Sequence, residues 1–231
     1  MTKSSQVQAP HQFGPRWSKL VGFVLVKVLW RVRVSGAQNI PTSGPVIVAG
    51  NHSALLDGPL LLGITPRPAH FLVKGSLFKG VLKPILIAGG HIAVRPGQGR
   101  ETLTRAKAVL DRGGAIGIFP EGTRGTGQVA AIHPGVAWLA CHSQAPVVPV
   151  AIVGTRHSGQ SVTALPRPWS TITVQYGAPI YPEPGEHTAR RDIAALAERV
   201  RVELAKAVAD AARASGTALP NDAPRNTAPE H

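Results

Sequence analysis

Short unbroken apolar runs, closed off by glycine or proline, alternate along this chain with segments whose apolar residues recur every three to four positions. The runs predict buried strands and the recurrences predict amphipathic helices. Val46-Ile47-Val48-Ala49 ends at Gly50 and reads as a strand covered on both faces. A short helix over 59–62 then leads to a strand over 71–73. A helix over 77–87, bent at Pro84, leads to a strand over 92–94. The next helix, over 101–111, stops at Gly113-Gly114, a good C-terminal signal. A strand over 115–118, a helix over 134–142 and a strand over 147–153 follow. Strand alternating with helix predicts a single α/β domain on a mostly parallel or mixed sheet flanked by helices.

The flanks read differently. Val32 and Val34 alternate with Arg31 and Arg33, a short half-buried strand. A last strand over 171–175 precedes a helix in which Ile193, Leu196, Ala197, Val200, Leu204 and Val208 share one face. Polar and proline-bearing ends, 1–15 and 214–231, are expected to be disordered, which leaves an acyclic order of a helix over 16–31 and a domain over 32–213.

The apolar run in that first helix, Leu20 to Trp30, is eleven residues long and contains Lys27. About twenty residues are needed to cross a bilayer, so it does not span one. The lysine also splits the run in a way a secretory signal does not allow. Lys19, Lys27 and Arg31 share one side, with Trp17, Leu20, Val21, Val24 and Val28 supplying apolar surface. That pattern suits a helix lying in a membrane interface, and also a core helix with one charged edge.

Charge sharpens the picture. The chain of 231 residues has 25 Lys plus Arg against 12 Asp plus Glu, a net charge of +13. Such a surface seeks phosphate, on nucleic acid, anionic lipid or a phosphate-bearing substrate. Aromatic residues amount to only 5%, and no basic–aromatic platform for bases is present, so nucleic acid is not an expected partner. The one cysteine, Cys141, precludes an intramolecular disulfide. With His142 beside it in an apolar helical pattern, it reads as a buried structural thiol and not a nucleophile, since adjacent helix residues do not face each other.

Two segments carry candidate chemistry. His52 and Asp57 lie five residues apart, about 140° around a regular helix, and could not pair inside one. At a strand-to-helix turn they can converge. Asp57 would then fix the imidazole tautomer and leave the other ring nitrogen to take a proton from a hydroxyl. On spacing alone the pair could equally be an N-cap aspartate and a polar turn histidine. His187 and Asp192 have the same interval, but no buried strand delivers them, and they read as a chance match. The second segment, Phe119-Pro120-Glu121-Gly122-Thr123-Arg124, follows the buried run 115–118 and offers a carboxylate, a hydroxyl, backbone N–H groups and a guanidinium on one rim. That set can hold a phosphate and a neighbouring hydroxyl, or form a turn with a solvated ion pair.

Taken in order, Asn51-His52-x4-Asp57, Lys74-Gly75-Ser76-Leu77 through Gly90-His91-Ile92-Ala93-Val94-Arg95, the Phe119–Arg124 block and Ala145-Pro146-Val147-Val148-Pro149-Val150 resemble the four blocks of the glycerolipid acyltransferases, in particular the 1-acyl-sn-glycerol-3-phosphate acyltransferases. The resemblance spans roughly 33–180. It implies transfer of a fatty acyl group from an acyl-CoA or acyl-acyl-carrier-protein thioester to a lysophospholipid hydroxyl, with no permanent cofactor, no metal and no covalent enzyme intermediate. It implies His52 as general base oriented by Asp57. Glu121, Gly122, Thr123 and Arg124 would bind the acceptor's glycerol phosphate with help from Arg95, and Pro149 and Val150 would shape the donor side. It further implies an anionic membrane surface as partner, acyl carrier protein as a possible one, and a peripheral or monotopic place on the cytoplasmic side of the cell membrane. The chain departs from the pattern in three places: Ala54 where Ser is frequent, Ser76 where Glu is common, and Pro96 where the second block usually ends in Arg.

Other readings stand beside this one: another lysolipid or a lipid-linked alcohol as acceptor, and, more weakly, a non-enzymatic basic module binding lipid or nucleic acid. The charge favours such a module and the 5% aromatic content does not. A metal-dependent hydrolase would use His52, Asp57, His91 and Glu121, yet the nine histidines form no H-E-x-x-H or close ligand pair. A thioester hydrolase would need only water in place of the alcohol.

Overall fold

The computed structural model describes residues 9–183 and 188–222. Seven strands form one mixed sheet: β1 (Arg31–Ser35), β2 (Val46–Gly50), β3 (Ala69–Lys74), β4 (Ile92–Val94), β5 (Ala115–Ile118), β6 (Val147–Val153) and β7 (Thr171–Tyr176), in the order β1-β7-β6-β2-β5-β3-β4. Every pairing is parallel except that of β6 with β7. Among the described residues six helices flank it: α1 (Gly14–Leu29), α2 (Asp57–Ile64), α3 (Leu82–Ala88), α4 (Gly99–Asp111), α5 (Gly135–Ser143) and α6 (Arg190–Ser215).

The alternation along β2 shows why both faces are covered. Val46 and Val48 enter the core beneath α1 and α2, with Val26, Trp30, Leu60 and Leu61. Ile47 and Ala49 enter the opposite core, with Val109 and Leu110 of α4, Val136 and Leu139 of α5, and Val200 of α6. A strand buried on both sides must read as a continuous apolar run, and all five residues of β2 are buried. The edge strand β1 is different: it pairs only with β7, and Val34 is exposed where the alternation predicts half burial.

Helix boundaries differ from the sequence reading at proline. Pro59 and Pro84 each occupy the third position of their helices, α2 and α3. In a first turn a missing N–H costs no helical bond, so proline starts these helices and bends neither. The helix expected over 77–87 divides into a 3₁₀ turn at Gly75–Leu77 and α3, with Gly80 between them in the left-handed region at φ +50°.

The chain ends also depart from the expectation of disorder over 1–15 and 214–231. Residues 9–13 lead into α1, and Arg112 Nη2 donates to the Pro10 carbonyl at 2.7 Å. At the other end, 216–222 folds back on the domain: Pro220 is buried, its carbonyl accepts from Gln128 Nε2 at 3.2 Å, and Asp222 pairs with Arg156 at 2.8 Å. Residues 1–8, 184–187 and 223–231 lie outside the described residues, and with them His187; Asp192 sits in the first turn of α6.

The crossing of α1 over α2 is held by two glycines. A Cβ on Gly63 would lie 2.5 Å from the Gly22 carbonyl carbon and 2.6 Å from the Phe23 nitrogen, both backbone atoms of α1. Gly63→Ala is therefore expected to destabilise the protein by about 1–3 kcal/mol. Gly99→Ala, where a Cβ meets open space, should be near neutral. Urea denaturation of the two variants checks this; equal midpoints would show that the helix crossing accommodates a methyl group.

Candidate active site

Strand order makes the site. From β2 the chain crosses under the α1/α2 face to β3, whereas from β5 it crosses by α5 on the other face to β6. The neighbouring strands β2 and β5 thus send their connections to opposite sides, and a crevice opens at their carboxyl ends, where open α/β sheets place ligands. The loop after β2 carries His52 and the loop after β5 carries Phe119 to Arg124.

His52 and Asp57 converge as the turn allows. Asp57 is the first residue of α2 and fully buried, and its Oδ2 lies 3.0 Å from His52 Nδ1. The same oxygen accepts the Ser53 N–H at 2.7 Å and the Ala54 N–H at 2.8 Å. With Nδ1–H donating to the carboxylate, Nε2 is left as the proton acceptor. The imidazole stacks on Phe119, centroids 4.2 Å apart and rings 20° from parallel. That contact fixes the ring plane, which one hydrogen bond alone would let rotate. Phe119 in turn fills the space beside Gly50, where a Cβ would meet its ring at 3.1 Å.

Glu121 has a place that the sequence did not suggest. Its Oε1 accepts the backbone N–H of His52 at 2.8 Å, so this carboxylate oxygen holds the His52 backbone in place. Burial pushes the Glu121 carboxyl above its ordinary value, and the N–H groups of His52 and Val129 pull the other way. Gly125 N–H donates to the His52 carbonyl at 2.9 Å. His52 is therefore tied at both its backbone groups to the β5 loop.

Gly122 and Thr123 are exposed and Arg124 is half-buried on that loop. Gly122 has φ +75°, and a Cβ there would stand 2.5 Å from His133 Nε2. His133, whose N–H donates to the Pro120 carbonyl at 2.8 Å, thus lies against the turn. Nothing in the spacing of the sequence marks it; the close approach of two loops does. Asn51 acts from the other side. Its side chain bonds the Gly127 carbonyl at 3.2 Å and both the carbonyl and the N–H of Ile152, at 3.0 and 2.7 Å, tying the β5 loop to β6.

Arg95 follows β4, three strand spacings or about 14 Å from β2, with its aliphatic stem over Gly75. It borders a cleft of about 320 Å³ shared with Phe78, His91, Thr102 and Arg105. Pro149 and Val150 do not line a substrate surface: both are buried inside β6, and the Val150 carbonyl accepts the Asn51 N–H at 3.4 Å. Strand pairing on both sides holds them in the sheet, and Val150 meets the 51–57 turn through Asn51. His91 is likewise internal; its Nδ1 accepts the Phe71 N–H at 3.2 Å, and burial, aided by His70, pushes it down to about 4. Among the described residues no three His, Cys, Asp or Glu side chains converge as metal ligands would. Cys141 is buried in α5, and burial pushes its thiol up.

The sequence model of a family described as acyltransferase matches residues 31–153. The chain is 31% identical over 132 residues to a 1-acyl-sn-glycerol-3-phosphate acyltransferase of Borreliella burgdorferi, covering 55% of this chain and 53% of that one. It is 28% identical over 134 residues to the protein of that name in Bacillus subtilis, covering 57% and 67%. The chain thus spans about half the length of the first of these relatives and two thirds of the second. Its fold is similar to the crystal structure of the 1-acyl-sn-glycerophosphate acyltransferase PlsC of Thermotoga maritima, with a TM-score of 0.67 at 24% identity over 85% of this chain and 78% of that one. With a family match over more than half its length, and with the matched segment holding both His52 and the Phe119–Arg124 turn, the chain belongs to the acyltransferase family.

Proposed function

We propose that the protein transfers a fatty acyl group from an acyl thioester, of coenzyme A or acyl carrier protein, to the free hydroxyl of a lysophospholipid, foremost 1-acyl-glycerol-3-phosphate, giving phosphatidic acid. The observation that carries this is the 3.0 Å contact of His52 Nδ1 with the buried Asp57 at the mouth of the crevice.

His52 Nε2 takes the proton of the acceptor hydroxyl as its oxygen attacks the thioester carbonyl carbon. The tetrahedral intermediate collapses with cleavage of the carbon–sulfur bond, and the imidazolium returns the proton to the departing thiolate. Asp57 stabilises the imidazolium without taking its proton. Arg124, on the strand end next to His52, supplies the acceptor phosphate with a planar, bidentate partner. Arg95, farther along the sheet edge, adds to the positive field that draws anionic substrates.

The place of work is the surface of an anionic membrane, on the cytoplasmic side, with the protein bound peripherally or monotopically. No helix among the described residues is long and apolar enough to cross a membrane. Support comes instead from an apolar surface on α1 and α3. Leu20, Val24, Leu25 and Val28 of α1 are about half exposed or more, as are Ile85 and Ile87 of α3. Trp17 Nε1 donates to the Ala88 carbonyl at 3.1 Å and joins the two helices. Lys27, Lys79 and Lys83 lie on or beside them, the pairing of apolar area with cations that anionic lipid favours.

Three outcomes are expected. His52→Ala should keep its circular dichroism and lose acyl transfer by about a hundredfold or more, measured with acyl thioester and lysophosphatidate and read by mass spectrometry; turnover retained by the folded variant would remove His52 from the mechanism. Arg124→Ala should raise the KM for lysophosphatidate about tenfold or more and leave the donor KM within about twofold, and equal rises would place Arg124 elsewhere. Leu20→Glu combined with Val24→Glu should lower cosedimentation with phosphatidylglycerol vesicles, and undiminished binding would mean that α1 does not face the bilayer.

A further inference from the structure

Arg156 is 1% exposed, beyond the end of β6 and beyond the segment the family match covers. A buried guanidinium needs donors satisfied on every side, and three different segments satisfy this one. Its Nε donates to the Gln160 carbonyl at 2.9 Å, its Nη1 to the Gly125 carbonyl at 3.2 Å, and its Nη2 to Asp222 Oδ1 at 2.8 Å. Gly125 is the residue whose N–H holds the His52 carbonyl. One glycine thus has His52 bonded on one side and Arg156 on the other.

The far end of this chain of bonds is equally well held. Asp222 Oδ2 accepts the Gly159 N–H at 2.8 Å, and Ser158 Oγ donates to Asn221 Oδ1 at 2.8 Å and accepts the Asn221 N–H at 3.2 Å. Gln128, on the site loop, reaches the Pro220 carbonyl, while Leu219 packs against the cluster containing Val129 and Val153. Next to Arg156, Thr155 Oγ1 shares a hydrogen bond with Ser53 Oγ at 3.2 Å, beside the Ser53 N–H that Asp57 accepts.

We infer that Arg156 and Asp222 are positioning residues for His52: they fix the Gly125 peptide, and through it the backbone of the base, by anchoring the 124–128 loop to the C-terminal segment 216–222. The inference rests on His52 being the base in the proposed reaction. Neither residue touches substrate. Their effect is on how often Nε2 points at the acceptor hydroxyl, and not on how tightly either substrate binds.

The test uses the full chain with Arg156→Lys and Asp222→Asn, and Arg213→Ala as an exposed control. The first two variants should lower kcat about tenfold to a hundredfold, since small misplacements of a reacting group have that effect, with both KM values within about twofold and an unchanged folded fraction by circular dichroism. A second readout needs no turnover. In protein labelled with nitrogen-15 histidine, the Nδ1–H resonance that His52→Ala removes should shift or exchange faster in Arg156→Lys and Asp222→Asn, and stay in place in Arg213→Ala. If the wild-type protein transfers no acyl group, the proposed function fails while the resonance still decides the positioning. An unmoved resonance, or unchanged kcat in folded variants, would overturn the inference. So would a kcat loss matched by the loss of folded protein.

Discussion

A carboxylate with no exposure must find hydrogen-bond donors inside the protein, and Asp57 finds three on one oxygen: the His52 ring and the amides of Ser53 and Ala54. This requirement shapes the 51–57 turn. The two amides can point at Asp57 only if the chain reverses sharply after β2, and the reversal throws the His52 ring back over Phe119. The turn therefore places and orients the imidazole before any substrate arrives, which is how a site avoids spending binding energy on reorganisation.

Around that turn the backbone is tied down by side chains and by other backbone groups. Glu121 takes the His52 N–H, Gly125 takes its carbonyl, and Asn51 joins the β5 loop to β6. Each tie runs from one strand end to another, so none depends on a loop's own rigidity. The arrangement leaves Thr123 exposed and Arg124 half-buried on the second loop, just after Gly122, which lies against His133. The two groups of candidate residues are divided between the ends of neighbouring strands. The division follows from strand order, because β2 and β5 are neighbours whose connections leave on opposite faces of the sheet.

The exposed apolar surface of α1 and the candidate site share one side of the sheet. His52, Phe119 and the core under α1 and α2 lie together, while α4, α5 and α6 cover the other face. The close crossing at Gly22 and Gly63 lets α1 sit low on α2 and carry its exposed apolar residues outward. On the proposed reading, an acyl chain leaving a bilayer meets the crevice on the side from which it comes.

The sequence alone determined the kinds of elements and their succession along the chain. Burial on both faces demands unbroken apolar runs such as Val46–Ala49, and the alternation of runs with helical periodicity leaves little choice but a mainly parallel sheet. It also marked His52, Asp57 and the Phe119–Arg124 turn, because residues just beyond buried strands are few and these bear unusual functional groups. Tertiary structure decided the rest. Glu121 proved to serve the backbone of His52, Pro149 and Val150 proved to be interior, and His133 and Arg156 entered the site's surroundings from far along the chain. Local pattern reports whether a residue is covered. It carries no record of which distant amide or carbonyl does the covering, since that is fixed by strand order and loop closure, and these depend on the whole chain.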